Sequence, residues 1–507
     1  MFKKTDPETI APYLKDASNF SEGKASEVVV PETREELVAY LKQNKNPITV
    51  AGAGTGLTAS RISLSGVIVS MERFKTLGSV KDGTIRVGPA VTLQDLKNHL
   101  KGSGWFYPPN PTEWLASIGG TLATNASGAR SYKYGTTRQF VLEADIALSD
   151  GRTASVLRGA SIDQPLRLDD GSVIEFPSVN FKSPKCKNAA GYFVRPGMDW
   201  LDLFIGSDGT LCVFTECTLK LVKAPADFLS GVLFMDQEEA CWELLEKIKK
   251  TRSSKIAPCS LEYFDRRSLL RLKQKFSNIP AKAQAALFFE QDVASQQEYD
   301  LCLETWYEFL EKEKVLLEDS WFAQDPKDIE KFHDFRHQLP LLINEENSRM
   351  GRMKMGTDMA VGDEHFREMM EFYQDELTKS GLDFVMFGHI GDNHLHINLL
   401  PDEKKMPLAR ETYATLVSQI LKWGGTISAE HGVGKLKKEY YHQMIGDQAL
   451  EELRKIKKSL DPQGRLGLGN LFKNKDLCLT QKMSRMLGIL TVKWVKSKIS
   501  RIYPGFP

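Results

Sequence analysis

Apolar residues recur along this chain at two spacings, and the balance between them changes near residue 223. Before that point short aliphatic runs alternate with polar, helix-spaced stretches. Val28-Val-Val-Pro31 reads as a buried strand, and Thr33-Arg-Glu-Glu36 as a capping box opening a helix to about residue 45. Pro47-Ile-Thr-Val-Ala51 is a strand running straight into a glycine-rich turn. Segments 66–71 and 84–88 continue the β/α alternation, a helix is expected over 92–100, and Gly206-Ser-Asp-Gly209 precedes a strand over 211–221. After Lys223-Ala-Pro-Ala226, segments 237–250, 296–313, 364–379 and 408–423 carry apolar residues at helical spacing, with strand-like segments 260–263, 285–290, 384–387 and 395–400 between them. The pattern predicts an α+β protein with one unit over 1–223 and a second over 224–475, packed together. Beyond Asp476, the last acidic residue, lysines and arginines alternate with Leu487, Leu490, Trp494 and Ile499, a basic amphipathic tail over 476–507. That tail suits either peripheral contact with an anionic membrane or packing on the body of the protein.

Composition narrows the class. A chain of 507 residues is too long for one ordinary core, and 41% hydrophobic with 26% charged residues is globular usage. A net charge of +1 provides no argument for nucleic acid, and no apolar run approaches membrane-spanning length. The N-terminus lacks the apolar core of a signal peptide. Seven cysteines, odd in number, scattered and without a Cys-x-x-Cys, argue against a disulfide framework or a built-in iron–sulfur domain. A reducing, cytoplasmic setting is expected, with the inner face of a membrane as the variant the tail allows.

Two kinds of candidate chemistry stand out. Ala51-Gly-Ala-Gly-Thr-Gly-Leu-Thr58 exposes consecutive backbone N–H groups that can cradle an anion, and Ser117-Ile-Gly-Gly120 opens a second small-residue stretch. Neither a GxGxxG fingerprint nor a Gly-Lys-Ser/Thr ending is present, so a Rossmann site and an NTP loop are disfavoured; an ordinary strand–turn would look the same. Near the far end, His389-Ile-Gly-Asp-Asn-His-Leu-His396 and Ser428-Ala-Glu-His-Gly432 gather imidazoles and a carboxylate. If 384–387 and 395–400 pair antiparallel around the intervening loop, His394, His396 and Asn398 share one strand face, with His389 at the loop entrance. Glu430 would arrive from a neighbouring segment, completing a donor set for zinc, manganese or a similar divalent ion, and His431 would stand beside it as a base.

Taken in order, the glycine-rich turn, Ser117-Ile-Gly-Gly120, Asn125-Ala-Ser-Gly128, Lys133-Tyr-Gly135, Lys187-Asn-Ala-Ala-Gly-Tyr192 and Gly206-Ser-Asp-Gly-Thr210 resemble the FAD-binding domain of the PCMH-type (vanillyl-alcohol-oxidase) flavoproteins. The downstream histidine and glutamate segments resemble the FAD-linked oxidase C-terminal domain, in the branch of D-lactate and D-2-hydroxyglutarate dehydrogenases and the glycolate oxidase flavin subunit. The likeness runs from about residue 28 to 466. It implies FAD contacts at Gly52, Ala53, Gly54, Thr55, Gly56, Leu57 and Thr58, at Ser117, Gly119, Gly120, Asn125, Gly128, Tyr134 and Gly135, and at Gly209. No histidine lies between Pro47 and Ser60, so the FAD is expected to be non-covalent. It implies metal ligands at His389, His396 and Glu430, a catalytic His431, and substrate contacts at Arg336, Lys354 and Asn398. The chain departs from the family at Ala59-Ser60, where Gly-Gly is usual, and at Gly467-Leu-Gly-Asn470, where Asn-Pro-Gly-Lys is usual. It departs again at Asn393-His394, which replaces Gly-Asn and either adds a ligand or crowds the loop.

The implied activity is oxidation of a D-2-hydroxy acid to its 2-oxo acid. Electrons would leave the flavin for a quinone, a cytochrome, an electron-transfer flavoprotein or an iron–sulfur subunit, from a chain without nucleic-acid partners and open to forming a homodimer. Two other readings fit the same domains. One is an alkylglycerone-phosphate-synthase-like transferase, which resembles His431-Gly-Val-Gly-Lys-Leu-Lys437 but carries histidines where Ala429-Glu430 stand here. The other is a flavin subunit of a larger electron-transfer complex.

Overall fold

A computed structural model of the chain describes residues 1–251 and 255–473; the basic tail over 476–507 lies outside the described residues. Strands Glu27–Val30, Val67–Ser70 and Ile48–Ala51 form a parallel sheet, edged by the antiparallel Phe2–Lys4. Their side chains are almost all buried, as expected where both faces of a parallel sheet are covered. Helix Arg34–Gln43 covers one face and begins where the sequence places it, Thr33 Oγ1 accepting from Glu36 N at 3.2 Å. A second, antiparallel sheet carries Thr84–Val87, Val213–Lys220, Val141–Ala147 and Thr153–Leu157 in that order. The glycine-rich turn leaves the carboxyl end of Ile48–Ala51, the end of a parallel strand where ligands are ordinarily met.

The second half is built on one eight-stranded sheet in which His394–Leu399 pairs antiparallel with Phe384–Gly388, matching Phe387 with His396. Period-two alternation divides the side chains of this sheet between two cores. Leu261, Tyr263, Leu287, Phe289, Leu395 and Ile397 face the layer holding helices Glu238–Thr251, Gln296–Leu310, Phe366–Ser380 and Met406–Lys422. Phe264, Phe288 and Val385 face helices Arg266–Leu272 and Pro326–Met350. Two long helices escape the sequence pattern. Pro326–Met350 carries Pro340 in its interior, and Lys438–Leu460 is broken at Gly446, whose φ of +75° is non-helical.

After Lys438–Leu460 the chain returns to the first half. Ile48 N donates to Arg465 O at 2.7 Å and Gly467 N to Ile48 O at 2.9 Å, adding Leu466 to the edge of the parallel sheet and to its core beside Val29, Leu37 and Val67. Buried Lys457 donates to Leu466 O at 2.9 Å and pairs with Asp461, while Asp461 accepts from Ser149 Oγ at 2.6 Å. These groups tie the last described segment to the first sheet system. Of the departures from the family pattern, Ala59 holds a φ of +60°, and Asn470 Nδ2 donates to Ser60 O at 2.9 Å and Asp208 O at 3.0 Å, so the altered residues at 59–60 and 470 meet one another.

One acidic pair, half-buried Glu238 and buried Asp265, couples the second half to pH. Glu238 opens its helix facing Asp265, the cap of Arg266–Leu272. Burial, then Asp265, raises the Glu238 carboxyl to about 7, and burial raises Asp265 to about 6. Carboxyls raised above their unfolded values bind protons better when folded, so the stability they contribute is present below about pH 4 and is lost as pH rises through 6 to 7. Glu238→Gln should therefore raise the urea midpoint relative to the unaltered protein at pH 8 and leave little difference at pH 4.5, read by circular dichroism at both pH values.

Candidate active site

One cavity is lined by residues of both halves: the turn from Gly52 to Thr58, Ser117, Gly119, Gly120 and Gly209 from the first, and Glu430 and His431 from the second, which mark its far end in sequence. Ser117 caps helix Ile118–Thr124, and its Oγ accepts from Gly120 N at 3.3 Å and Ala53 N at 3.4 Å, fastening the second loop to the first. A Cβ added at Gly52 would stand 2.8 Å from Ser117 Oγ, and one at Gly54, where φ is +85°, would stand 2.2 Å from the Arg61 guanidinium. A Cβ at Gly56 or Gly209 would meet nothing within 4 Å. Bare backbone, open space above it and a half-buried guanidinium suit the pyrophosphate of a dinucleotide. Arg61 and Asp16 also line this cavity and were not singled out from the sequence; nothing in their spacing marks them.

Not every residue implied for the cofactor lies there. Asn125 ends helix Ile118–Thr124 in the left-handed conformation, with Oδ1 accepting from Thr136 Oγ1 at 2.9 Å and Arg138 N at 3.0 Å. Gly128 admits the Asn110 carbonyl, 2.1 Å from where a Cβ would be. Tyr134 donates its hydroxyl to Asp292 at 2.9 Å, across to the second half, and Gly135 follows it at φ +84°. These four hold the loops rather than line the cavity.

The imidazoles meet at the far end. Glu430 receives His389 Nε2 at 3.2 Å, His396 Nε2 at 3.2 Å and Lys187 Nζ at 3.2 Å. His389 Nδ1 lies 2.6 Å from Glu262 Oε1, and Arg336 Nε lies 3.2 Å from Glu262 Oε2, so Arg336 reaches the cluster through one carboxylate. Asn398 lies two residues beyond His396 on the same strand face, opposite Gly356. Lys354, just before Met355–Gly356, donates to Asn344 Oδ1 at 3.0 Å and is not brought to the cluster by any contact. Lys187, buried against Glu430 and 3.6 Å from Asp392, is a cation that residue types alone did not single out as part of the site.

His431 stands where cavity and cluster meet, its ring stacked 5.5 Å from that of His396. Its Nδ1 lies 3.2 Å from Asp358 Oδ2 and its backbone N donates to the same oxygen at 3.1 Å. Asp358 also receives Ser428 Oγ at 2.7 Å and Lys437 Nζ at 2.6 Å. Burial pushes the Asp358 carboxyl up, but His431 and Lys437 overcome it and hold the group well below the carboxylate range. Burial likewise lowers His389, whereas Glu262 and Glu430 on its two sides raise it to about 9. Two imidazoles and a carboxylate converging in a buried site are a donor set for a borderline divalent ion, which on His389 would take the place of that ring's second proton.

A cradle for a dinucleotide open onto a histidine–carboxylate cluster defines a flavin-dependent redox enzyme. The comparisons agree: residues 25–156 match the FAD binding domain family and 227–471 match the FAD linked oxidases, C-terminal domain, so the chain belongs to the FAD-linked oxidases. It is 25% identical to the glycolate oxidase subunit GlcD of Bacillus subtilis over 91% of this chain and 92% of that protein. It is 27% identical to a D-lactate dehydrogenase of Archaeoglobus fulgidus over 93% of this chain and 94% of that one. A D-2-hydroxyglutarate dehydrogenase of Xanthomonas citri is 27% identical over 93% and 94%. Among solved structures, p-cresol methylhydroxylase superposes with a TM-score of 0.68 at 15% identity, covering 92% of this chain and 93% of that one, which shows the PCMH-type fold. An alkyldihydroxyacetonephosphate synthase superposes at 0.64 and 14%, covering 92% and 82%.

Because the space over Gly56 is open, Gly56→Val should leave the thermal midpoint of the FAD-free protein unchanged and weaken FAD binding by at least about 10-fold, or ~1.4 kcal/mol. Fluorescence titration of the stripped protein with FAD measures it; equal affinity would place the cofactor elsewhere.

Proposed function

We propose that the chain oxidises a 2-hydroxy acid of D configuration, of the kind represented by lactate, glycolate or 2-hydroxyglutarate, to the 2-oxo acid, and passes the electrons from FAD to a separate acceptor. In this reading residues 1–223 hold the cofactor and 224–475 hold the substrate and a divalent ion on His389, His396 and Glu430. The observation that carries it is the position of His431, between the cofactor cavity and the imidazole cluster, with a buried carboxylate behind it.

Charge supports the substrate class. Around the cluster four carboxylates, Glu262, Asp358, Asp392 and Glu430, face three permanent cations, Lys187, Arg336 and Lys437. A divalent ion turns the single uncompensated negative charge into a single positive one, which suits a monocarboxylate anion. In this reading Asn398 and Arg336 receive that carboxylate, with Lys354 at the neighbouring strand edge.

When bound, FAD accepts two electrons with the Cα hydrogen, and the ion supplies positive charge at the hydroxyl and carboxylate oxygens. The protein's own residues handle the proton. Asp358 Oδ2 lies 3.2 Å from His431 Nδ1, a placement that favours the proton on Nδ1 and turns Nε2 to the substrate hydroxyl. As the hydroxyl proton passes to Nε2, the imidazolium that forms is stabilised by Asp358, whose own proton affinity is held low by Lys437. Lys187 neutralises Glu430, approaching the same Oε2 that His389 approaches.

Reduction of bound flavin by single enantiomers of lactate, malate and 2-hydroxyglutarate, and by glycolate, followed by loss of flavin absorbance, tests the reading. The D enantiomers should bleach the flavin; indifference to all four acids would sink it. His431→Ala should keep FAD bound and slow bleaching by about 10²- to 10⁴-fold. An unchanged bleaching rate would remove His431 as the base.

A further inference from the structure

His394 stands at a position where the family pattern has asparagine, and its ring lies among side chains able to hold a metal ion. The ring is fully buried; its Nε2 lies 3.0 Å from Asp358 Oδ1, and its Nδ1 has no hydrogen-bond partner among the described residues. A buried polar group left unpaired costs about 1–3 kcal/mol, so a ring placed this way calls for a partner.

What the ring does face is the imidazole cluster. His394 and His396, two apart on one strand, point to the same side with ring centroids 4.6 Å apart, and His389 completes the triangle at 5.2 and 5.5 Å. One donor atom from each of His389, His394, His396 and Glu430 lies within 4.8 Å of every other. Ligands around a tetrahedral zinc ion, bound at about 2.0–2.2 Å, stand roughly 3.4 Å apart, so small side-chain rotations would close the set on one ion. The preceding turn holds His394 in place. Asn393 adopts φ +51°, a conformation asparagine tolerates, its Oδ1 accepting from Lys249 Nζ at 2.7 Å and its Nδ2 donating to Asp363 Oδ1 at 2.8 Å. His394 N then donates to His389 O at 3.2 Å, coupling two of the rings through the backbone.

We propose that His394 is a fourth ligand, so that this chain holds its divalent ion with three imidazoles and one carboxylate, and that the ion is accordingly zinc-like and tetrahedral rather than octahedral like manganese. The inference rests on the metal reading of His389, His396 and Glu430 and adds to it. Three nitrogen donors and one oxygen satisfy a tetrahedral ion with no solvent ligand, whereas manganese or magnesium would need two more oxygen donors. Such a set would hold the ion more tightly than two histidines and a glutamate would.

The test uses the full-length FAD-bound chain, stripped with a chelator and reloaded with zinc or with cobalt(II) as a spectroscopic probe. X-ray absorption at the zinc edge of the unaltered protein should count three imidazoles per ion, and its cobalt form should show the intense visible bands of tetrahedral coordination at wavelengths beyond the flavin. His394→Asn, which restores the family residue, should lower the count to two, weaken the cobalt bands and reduce zinc affinity by at least about 10-fold, the scale on which even outer-shell partners act. Flavin absorbance and circular dichroism confirm that the variant is folded. Two imidazoles in the unaltered protein, or an unchanged affinity and cobalt spectrum in His394→Asn, would overturn the fourth ligand while leaving the three-residue site intact. Protein that takes up no zinc at all would overturn both.

Discussion

Carboxylates taken out of water must be answered by charge or by hydrogen bonds, and this molecule buries several of them where its two halves meet. Glu262, Glu430, Asp358 and Asp208 are each sealed from solvent or nearly so, and each is answered from another part of the chain. Glu262 is met by Arg336 and His389, Glu430 by Lys187 and the histidines, and Asp358 by Lys437 and His431. Removing any of these partners would leave a buried charge exposed to the low-dielectric interior, which is why the 428–437 loop, the sheet of the second half and the 187–192 segment of the first are obliged to stay together.

Asp208 shows how that obligation reaches the cofactor. Its Oδ2 accepts from Val433 N at 2.9 Å and Gly434 N at 3.1 Å, and its Oδ1 from Ser60 Oγ at 2.9 Å. Lys435 N donates to Thr58 O at 2.9 Å, and its buried Nζ to Ala59 O at 3.1 Å and Asn470 Oδ1 at 2.6 Å. Burial lowers that amine to about 7, although Asp208 opposes the shift. Gly434, at φ +52°, brings the loop so near that a Cβ would stand 2.1 Å from Thr58 O. The glycine-rich turn and the loop carrying His431 are thus one hydrogen-bonded body, held together by backbone contacts instead of by domain docking alone.

Much of this was legible in residue order. The strand into Gly52–Thr58, the capped helices beginning after Thr33 and Thr92, and the hairpin that aligns His394, His396 and Asn398 follow from local propensity and period-two alternation, which depend only on neighbours in sequence. Motif resemblance added the ligand and base positions, and His389, His396, Glu430 and His431 do converge. Helices Pro326–Met350 and Lys438–Leu460 were hidden because an internal proline and a left-handed glycine interrupt their patterns. Arg61, Lys187 and Glu262 were illegible for a different reason: a charged residue is ordinarily solvated, and only its neighbours in space show that it is not.

The sequence by itself therefore determined the elements, the bare turn for a phosphate-bearing cofactor and the donor types near residue 390, since each is written within a few consecutive residues. The tertiary structure alone decided which charges are buried together, that residues 461–472 complete the first sheet, and that four of the implied cofactor residues hold loops in place of lining the cavity. It also decided that buried His394 faces its sister histidines with its Nδ1 unpaired. Those outcomes depend on contacts between segments separated by hundreds of residues, and burial, which makes a charge or an imidazole consequential, is a property of the folded whole.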